Sequence, residues 1–165
     1  MQIVITELGM RLITFSVFGD NPIYCFGAVE NARLAKEIYP DWIARFYIAQ
    51  DVPEEYVNQI KDHGGEVILC ERKNSYDGLN WRFRPLSEPD VDVWISRDAD
   101  SRLSWRERRA VDEWLDSDQT AHLLRDSHNH GYTIMAGMFG IKNKPFHKKY
   151  GAVSYTHLTL PTTRL

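Results

Sequence analysis

Short runs of β-branched and aromatic residues alternate with segments of helical period along most of the chain, and that alternation leaves few architectures open. Arg11 to Gly19 (RLITFSVFG) reads as a strand ending in the turn or loop Gly19-Asp20-Asn21-Pro22. From Ala28 to Tyr39, Val29, Ala32, Leu34, Ala35 and Ile38 recur at helical spacing until Pro40. Ile43 to Ala49 is a second strand, after which Asp51-Val52-Pro53-Glu54 offers an N-cap, an early proline and an acid, opening a helix closed by Gly64-Gly65. Glu66 to Cys70 is a third strand, a short helix is expected around Leu79 to Leu86, and Asp92 to Ser96 is a fourth strand. Ser104-Trp105-Arg106-Glu107 matches a capping box, so a helix is expected to run to Leu115 with Val111, Trp114 and Leu115 inward. His122 to Leu124 and Thr133 to Ile141 are further strand-like runs. The expectation is an α/β domain with a mostly parallel sheet and helices on both faces.

The length of 165 residues suits one domain with a sizeable core. A net charge of −3 excludes a general attraction for nucleic acid or anionic membrane. Cys25 and Cys70 lack close spacing and the start lacks a signal-peptide pattern, so the thiols are read as reduced and the protein as cytoplasmic. No apolar run reaches the roughly 18 residues of a membrane span, so no transmembrane segment is expected. Met10 is a second candidate start. The terminal run VSYTHLTLPT resembles a reading frame of a transposase sequencing adapter. Residues 153–165 are therefore set aside as a non-native tail, and the domain at 1–152 is expected to be truncated at its C-terminus.

The fourth strand runs directly into two carboxylates in WISRDADSR. In an open α/β sheet, ligands collect at the carboxyl edge of the strands, which is where Asp98 and Asp100 fall. Two acids flanking one small residue can face a single hard cation, and manganese or magnesium would accept those oxygens while keeping positions open for a diphosphate. The bare pair also suits a solvated loop. A calcium loop starting at Asp98 would need glycine sixth and glutamate twelfth, but Leu103 and Arg109 stand there. A phosphatase of the haloacid dehalogenase type would carry the pair after its first strand with threonine two residues on, where this chain has Arg102. No Cys/His cluster with zinc spacing is present.

Four motifs in order carry a resemblance: Arg97-Asp98-Ala99-Asp100-Ser101-Arg102; Arg106-Glu107 with Ala110-Val111-Asp112-Glu113-Trp114-Leu115; His122-Leu123-Leu124-Arg125-Asp126; and Gly137-Met138-Phe139-Gly140. Over roughly Arg11 to Asn143 the chain resembles nucleotide-sugar-dependent glycosyltransferases of the GT-A fold, a Rossmann-like class, and in particular a bacterial and viral branch with RDxDSR at a strand end. The resemblance implies a nucleotide-sugar donor site built from the first β-α loop and the Asp-x-Asp loop. Asp100 would ligate the metal directly, and Asp98 would contact ribose or metal. Arg82 stands where related enzymes often carry an arginine reaching the donor; it also suits a surface position on an amphipathic helix. Arg97 and Arg102 could neutralise phosphate or pair with neighbouring acids. Ser16 and Phe18 end the first strand, where backbone groups meet the base and an aromatic can stack on it, and Tyr24 is a second stacking candidate; core packing competes for Phe18. Gly137 resembles the small residue that lets a sugar approach the backbone, and Trp81 is a possible sugar platform. In the polar loop Asp126 to Gly131, His128 or His130 could complete the metal shell or bind acceptor.

The function so implied is transfer of a sugar from a nucleotide diphosphate to a glycan, lipid or protein acceptor that the letters do not identify. Inverting chemistry needs a base, for which Asp126 and Glu107 are the nearby acids; retaining chemistry needs none. A non-catalytic α/β binding module and a metal-dependent nucleotidyltransferase are the competing readings. Release of nucleoside diphosphate, of pyrophosphate, or of neither separates the three.

Overall fold

The computed structural model describes residues 9–74, 76–125 and 135–151. Its strands are β1 (Met10–Val17), β2 (Ile43–Ala49), β3 (Glu66–Cys70), β4 (Val91–Arg97), β5 (Ala121–Leu123) and β6 (Met138–Lys142). They form one six-stranded sheet in the order β3-β2-β1-β4-β6-β5. The first four in that order run parallel, β6 runs antiparallel to β4, and β5 runs antiparallel to β6. The helices are α1 (Pro22–Ile38), α2 (Glu54–Asp62), α3 (Asp77–Asn80), α4 (Trp105–Leu115) and α5 (Asn143–Tyr150), with a 3₁₀ segment at Trp81–Ser87. None of the described helices is long and apolar enough to cross a membrane.

The period of two along the strands sorts the core into two layers. Ile13, Phe15, Val17, Ala44, Phe46, Ile48 and Ile95 face α1, α2 and α4 in the larger cluster. Phe15 and Phe46 are register partners whose rings stack with centroids 4.7 Å apart, so β1 and β2 are locked by a cross-strand aromatic pair. On the other face, Leu12, Val91, Trp94 and Ile141 pack under Phe83 and Leu86 of the 3₁₀ segment and Phe146 of α5. Helices thus cover both faces, as expected.

The details depart from the expected elements in several places. Helix α1 begins six residues early, at Pro22, because Asn21 is its N-cap and accepts from the Ile23 N–H at 3.0 Å. Asp51 does not cap α2: it accepts the Gly19 N–H at 2.8 Å and pairs with Arg72 at 2.9 Å. The segment after α3 tightens to 3₁₀ with Pro85 inside it, a residue that has no N–H for an α-helical bond.

His122 of β5 lies against Trp114 of α4, with ring centroids 5.2 Å apart, and its Nε2 is buried without a partner. Burial, with the Arg97 charge adding to it, pushes its pKa down to about 4. The unfolded chain, titrating near 6.5, therefore binds more protons than the folded one in this window. Stability is expected to fall as pH drops from about 6.5 toward about 4. Urea midpoints across that range should shift less in His122→Phe, and an equal shift in both proteins would remove His122 as the cause.

Candidate functional site

The chain leaves β3 at one edge and returns to β4 on the opposite side of β1, so β1 and β4 flank the point where the winding reverses. Such points open a crevice beyond the carboxyl ends of the strands. A cavity of about 510 Å³ lies there, lined by Ser16 and Phe18 after β1, Asn21 and Tyr24 at the start of α1, Leu79, Arg82, and Asp98 to Asp100 after β4. Six residues singled out in the sequence, Ser16, Phe18, Tyr24, Arg82, Asp98 and Asp100, meet in this one space.

Arg82 reaches Asp98 Oδ1 with Nη1 and also donates to the Arg97 carbonyl at 3.2 Å. Its own backbone is anchored to β1, since its N–H donates to Ser16 Oγ at 3.1 Å and its carbonyl accepts from Thr14 Oγ1 at 2.8 Å. Asp98 is therefore oriented by a nearly buried guanidinium. Asp100, by contrast, is exposed and its carboxylate makes no ion pair among the described residues. The surface-arginine alternative for Arg82 does not hold, because the 3₁₀ segment packs its side chain against the sheet.

The Asp-x-Asp loop is held from behind by Asn31 of α1, a residue that the sequence reading passed over. Its Nδ2 donates to the carbonyls of Ala99 (3.3 Å) and Ser101 (2.8 Å), and its Oδ1 accepts from the Leu103 N–H at 3.0 Å. The letters carry no direct signal for this role: the full burial of Asn31 in the middle of a helix, visible only in the fold, is what requires its side chain to find partners outside the helix. Gly27, one turn earlier, lets α1 come so close that a Cβ would stand 2.0 Å from the Ala99 carbonyl.

The structure gives several of the other candidate residues partners within the protein. Arg97 does not line the cavity with Asp100; its side chain is 3% exposed, and it donates to Glu107 at 2.5 Å and to the carbonyls of Ser96 and Phe139. Its direction follows from the strand period, which points residue 97 to the α4 face while Trp94 and Ser96 point to the other. Phe18 lines the cavity while its ring packs against Gly78 and lies 4.8 Å from the Arg72 guanidinium, so part of its surface is already taken by the protein. Tyr24, 43% exposed, is the open aromatic of the cavity. Trp81 is buried with Tyr47, Ala49 and Cys70 and offers no sugar platform. Glu107 is held by Arg97 and by the Tyr39 hydroxyl at 3.2 Å, which leaves it ill-placed as a general base. Arg102 donates to the carbonyls of Ala99, Asp100 and Ser101, bracing the loop. Asp126, His128 and His130 lie outside the described residues, as does the tail at 153–165.

Gly137 also permits a close approach within the protein. The close approach that it permits is to Asp98: a Cβ there would stand 2.0 Å from Asp98 Oδ2, and Ser96 Oγ fixes the segment by donating to the Ala136 carbonyl at 2.6 Å. Gly137→Ala must displace either Asp98 or β6. It is expected to cost about 1–3 kcal/mol in urea unfolding and to weaken ligand binding at the cavity. Wild-type stability and affinity in that variant would show that the contact relaxes freely.

Among the described residues no group of three metal-ligating side chains gathers. Two carboxylates on one loop still fit a cation of the magnesium or manganese type, which is commonly held by one or two carboxylates and completed by water and substrate phosphates.

No family model and no curated protein matches the chain. Among solved structures, it is similar to the mannosyltransferase PcManGT from Pyrobaculum calidifontis in complex with GDP-Man and Mn2+, with a TM-score of 0.60 at 11% identity over 91% of this chain and 49% of that one. It is also similar to the galactosyltransferase LgtC in complex with donor and acceptor sugar analogues, with a TM-score of 0.50 at 16% identity over 84% of this chain and 60% of that one. The chain thus spans between half and three-fifths of the length of these two proteins. The fold is the GT-A type of these glycosyltransferases.

Proposed function

We propose that this chain carries the donor-binding half of a metal-assisted glycosyltransferase, taking a nucleotide diphosphate sugar in the cavity between β1 and β4. The observation that carries the reading is the convergence of Ser16, Tyr24, Arg82, Asp98 and Asp100, drawn from three separate stretches of sequence, on one crevice at the switch point. Asp100, whose carboxylate has no protein counter-ion among the described residues, is the direct ligand of manganese or magnesium. Asp98, oriented by Arg82 and seated on Gly137, takes either the second metal position or the ribose. Tyr24 supplies an aromatic face for the base. A bound dication would supply positive charge where the leaving diphosphate gains negative charge. The GT-A fold shared with a GDP-Man and Mn2+ complex supports this assignment.

Calorimetric titration of nucleoside diphosphates into the chain, with manganese and with chelator, tests the reading. Binding that needs manganese and prefers one base is expected, together with release of nucleoside diphosphate from the matching nucleotide sugar. Pyrophosphate release from a nucleoside triphosphate would make the protein a nucleotidyltransferase. Absence of nucleotide binding by a folded sample would leave a non-catalytic module.

A further inference from the structure

A second cavity, of about 290 Å³, lies on the α4 side of the Asp-x-Asp loop. Its charged lining is Arg97, Arg102, Arg106 and Arg125 against Asp98 and Glu107. Among the described lining residues, Asp98 is already paired by Arg82 and Glu107 by Arg97, which leaves Arg102 and Arg106 without an acidic partner. This local excess of positive charge sits in a chain whose net charge is −3. The first turn of α4 borders the same space through Ser104, Arg106 and Glu107, adding the partial positive charge of a helix N-terminus.

Arg97 supplies an independent observation. It lines the cavity, its side chain is 3% exposed, and while its Nε and Nη1 are bonded, its Nη2 is buried without a hydrogen-bond partner among the described residues. Buried guanidinium N–H groups are rarely left without an acceptor, and a small rotation of the Arg97 side chain toward the cavity would give Nη2 one if an oxyanion entered. Arg106 extends the same surface from the second position of α4 and makes no hydrogen bond or ion pair among the described residues.

From this we infer that the second cavity binds an anionic group, a phosphate ester or a carboxylate, carried by the acceptor. The two cavities meet at Asp98, so an anion held under α4 places the rest of its molecule beside the sugar of a donor in the first cavity. The assignment of that anion to an acceptor rests on the donor reading above; the anion site itself does not. Planar guanidiniums pair bidentately with either oxyanion, and the cavity has room for a headgroup-sized moiety.

The test titrates inorganic phosphate, and in parallel glucuronate and uncharged glucose, into the full chain and into Arg106→Gln. Each titration is run alone and with the nucleoside diphosphate and manganese at saturation. Arg106 is exposed, so its replacement leaves the fold intact. Expected is binding of phosphate or glucuronate but not glucose, retained when the nucleoside diphosphate is saturating and weakened about tenfold in Arg106→Gln. The preference between phosphate and glucuronate identifies the anion. Competition between phosphate and the nucleoside diphosphate, equal affinity in wild type and Arg106→Gln, or no anion binding by folded protein each overturns the proposal. Anion binding without any nucleotide binding would keep the anion site and remove its role as an acceptor site, so failures of the two readings are told apart.

Discussion

Asp100→Ala is expected to give a folded protein whose manganese-dependent affinity for a nucleoside diphosphate falls by about a hundredfold or more, the scale of losing several kcal/mol of charge stabilisation. Asp100 is exposed and holds no described side chain in place, so its removal should move stability by no more than about 0.5 kcal/mol. Asp98 is a poorer test, because removing it strands the nearly buried Arg82 and confounds folding with binding. Titration with manganese and with chelator, alongside a melting curve, reads both quantities. Unchanged manganese-dependent affinity in a folded Asp100→Ala protein would sink the metal assignment.

Glu107→Ala is expected to lower stability by about 3–5 kcal/mol, the cost of removing one partner of a buried ion pair. Arg97 and Glu107 have side chains 3% and 14% exposed and are joined at 2.5 Å, and Glu107 also accepts the Tyr39 hydroxyl at 3.2 Å. Burial and the Glu107 charge hold the Tyr39 phenol well above its usual pKa, so it remains a neutral donor throughout the ordinary pH range. Without Glu107, the Arg97 cation keeps only two carbonyls, from Ser96 and Phe139, and an Nη2 already lacking a partner. Glu107→Gln restores an acceptor and should lose less. Urea unfolding at neutral pH distinguishes the variants; a loss under about 1 kcal/mol for Glu107→Ala would mean that the pair contributes little to the fold.

Strands β2 and β3 begin and end at the residues the sequence indicates: β2 lies between Pro40-Asp41 and Asp51, and β3 opens after Gly64-Gly65 and ends where the apolar run gives way to Glu71-Arg72-Lys73. Helix α1 reads short because Asn21-Pro22 is equally good chemistry for a turn and for a helix start, and only the tertiary packing of Cys25 and Ala28 decides. Helix α5 carries a mostly polar sequence and was not anticipated; Phe146 and the Asn143 side chain, which accepts from Trp94 at 2.9 Å and donates to the Pro85 carbonyl, tie it to the fold. The crevice between β1 and β4 was legible because strand-end positions are set by local pattern and the parallel topology brings them together. The Asn31 clamp, the contacts of Phe18 with Gly78 and Arg72, and the inward turn of Arg97 were not, since each depends on contacts between distant elements. Ser104 and Glu107 show the intermediate case: the Glu107 N–H does donate to Ser104 Oγ at 3.3 Å, but the Glu107 carboxylate leaves the reciprocal half of the box for Arg97.

Helix α1 has a consequence for how affinity and selectivity are linked. Its first turn carries Tyr24, against which a base would rest, while two turns further along Asn31 grips the loop bearing Asp98 and Asp100. If the crevice takes a nucleotide as proposed, one rigid rod spans its nucleobase end and its phosphate end. A change that tilts the rod, such as filling the space kept by Gly27, moves both ends by a common lever. Altering which base is accepted should therefore be achievable at Tyr24 itself, whereas changes deeper in α1 should perturb base preference and metal dependence together.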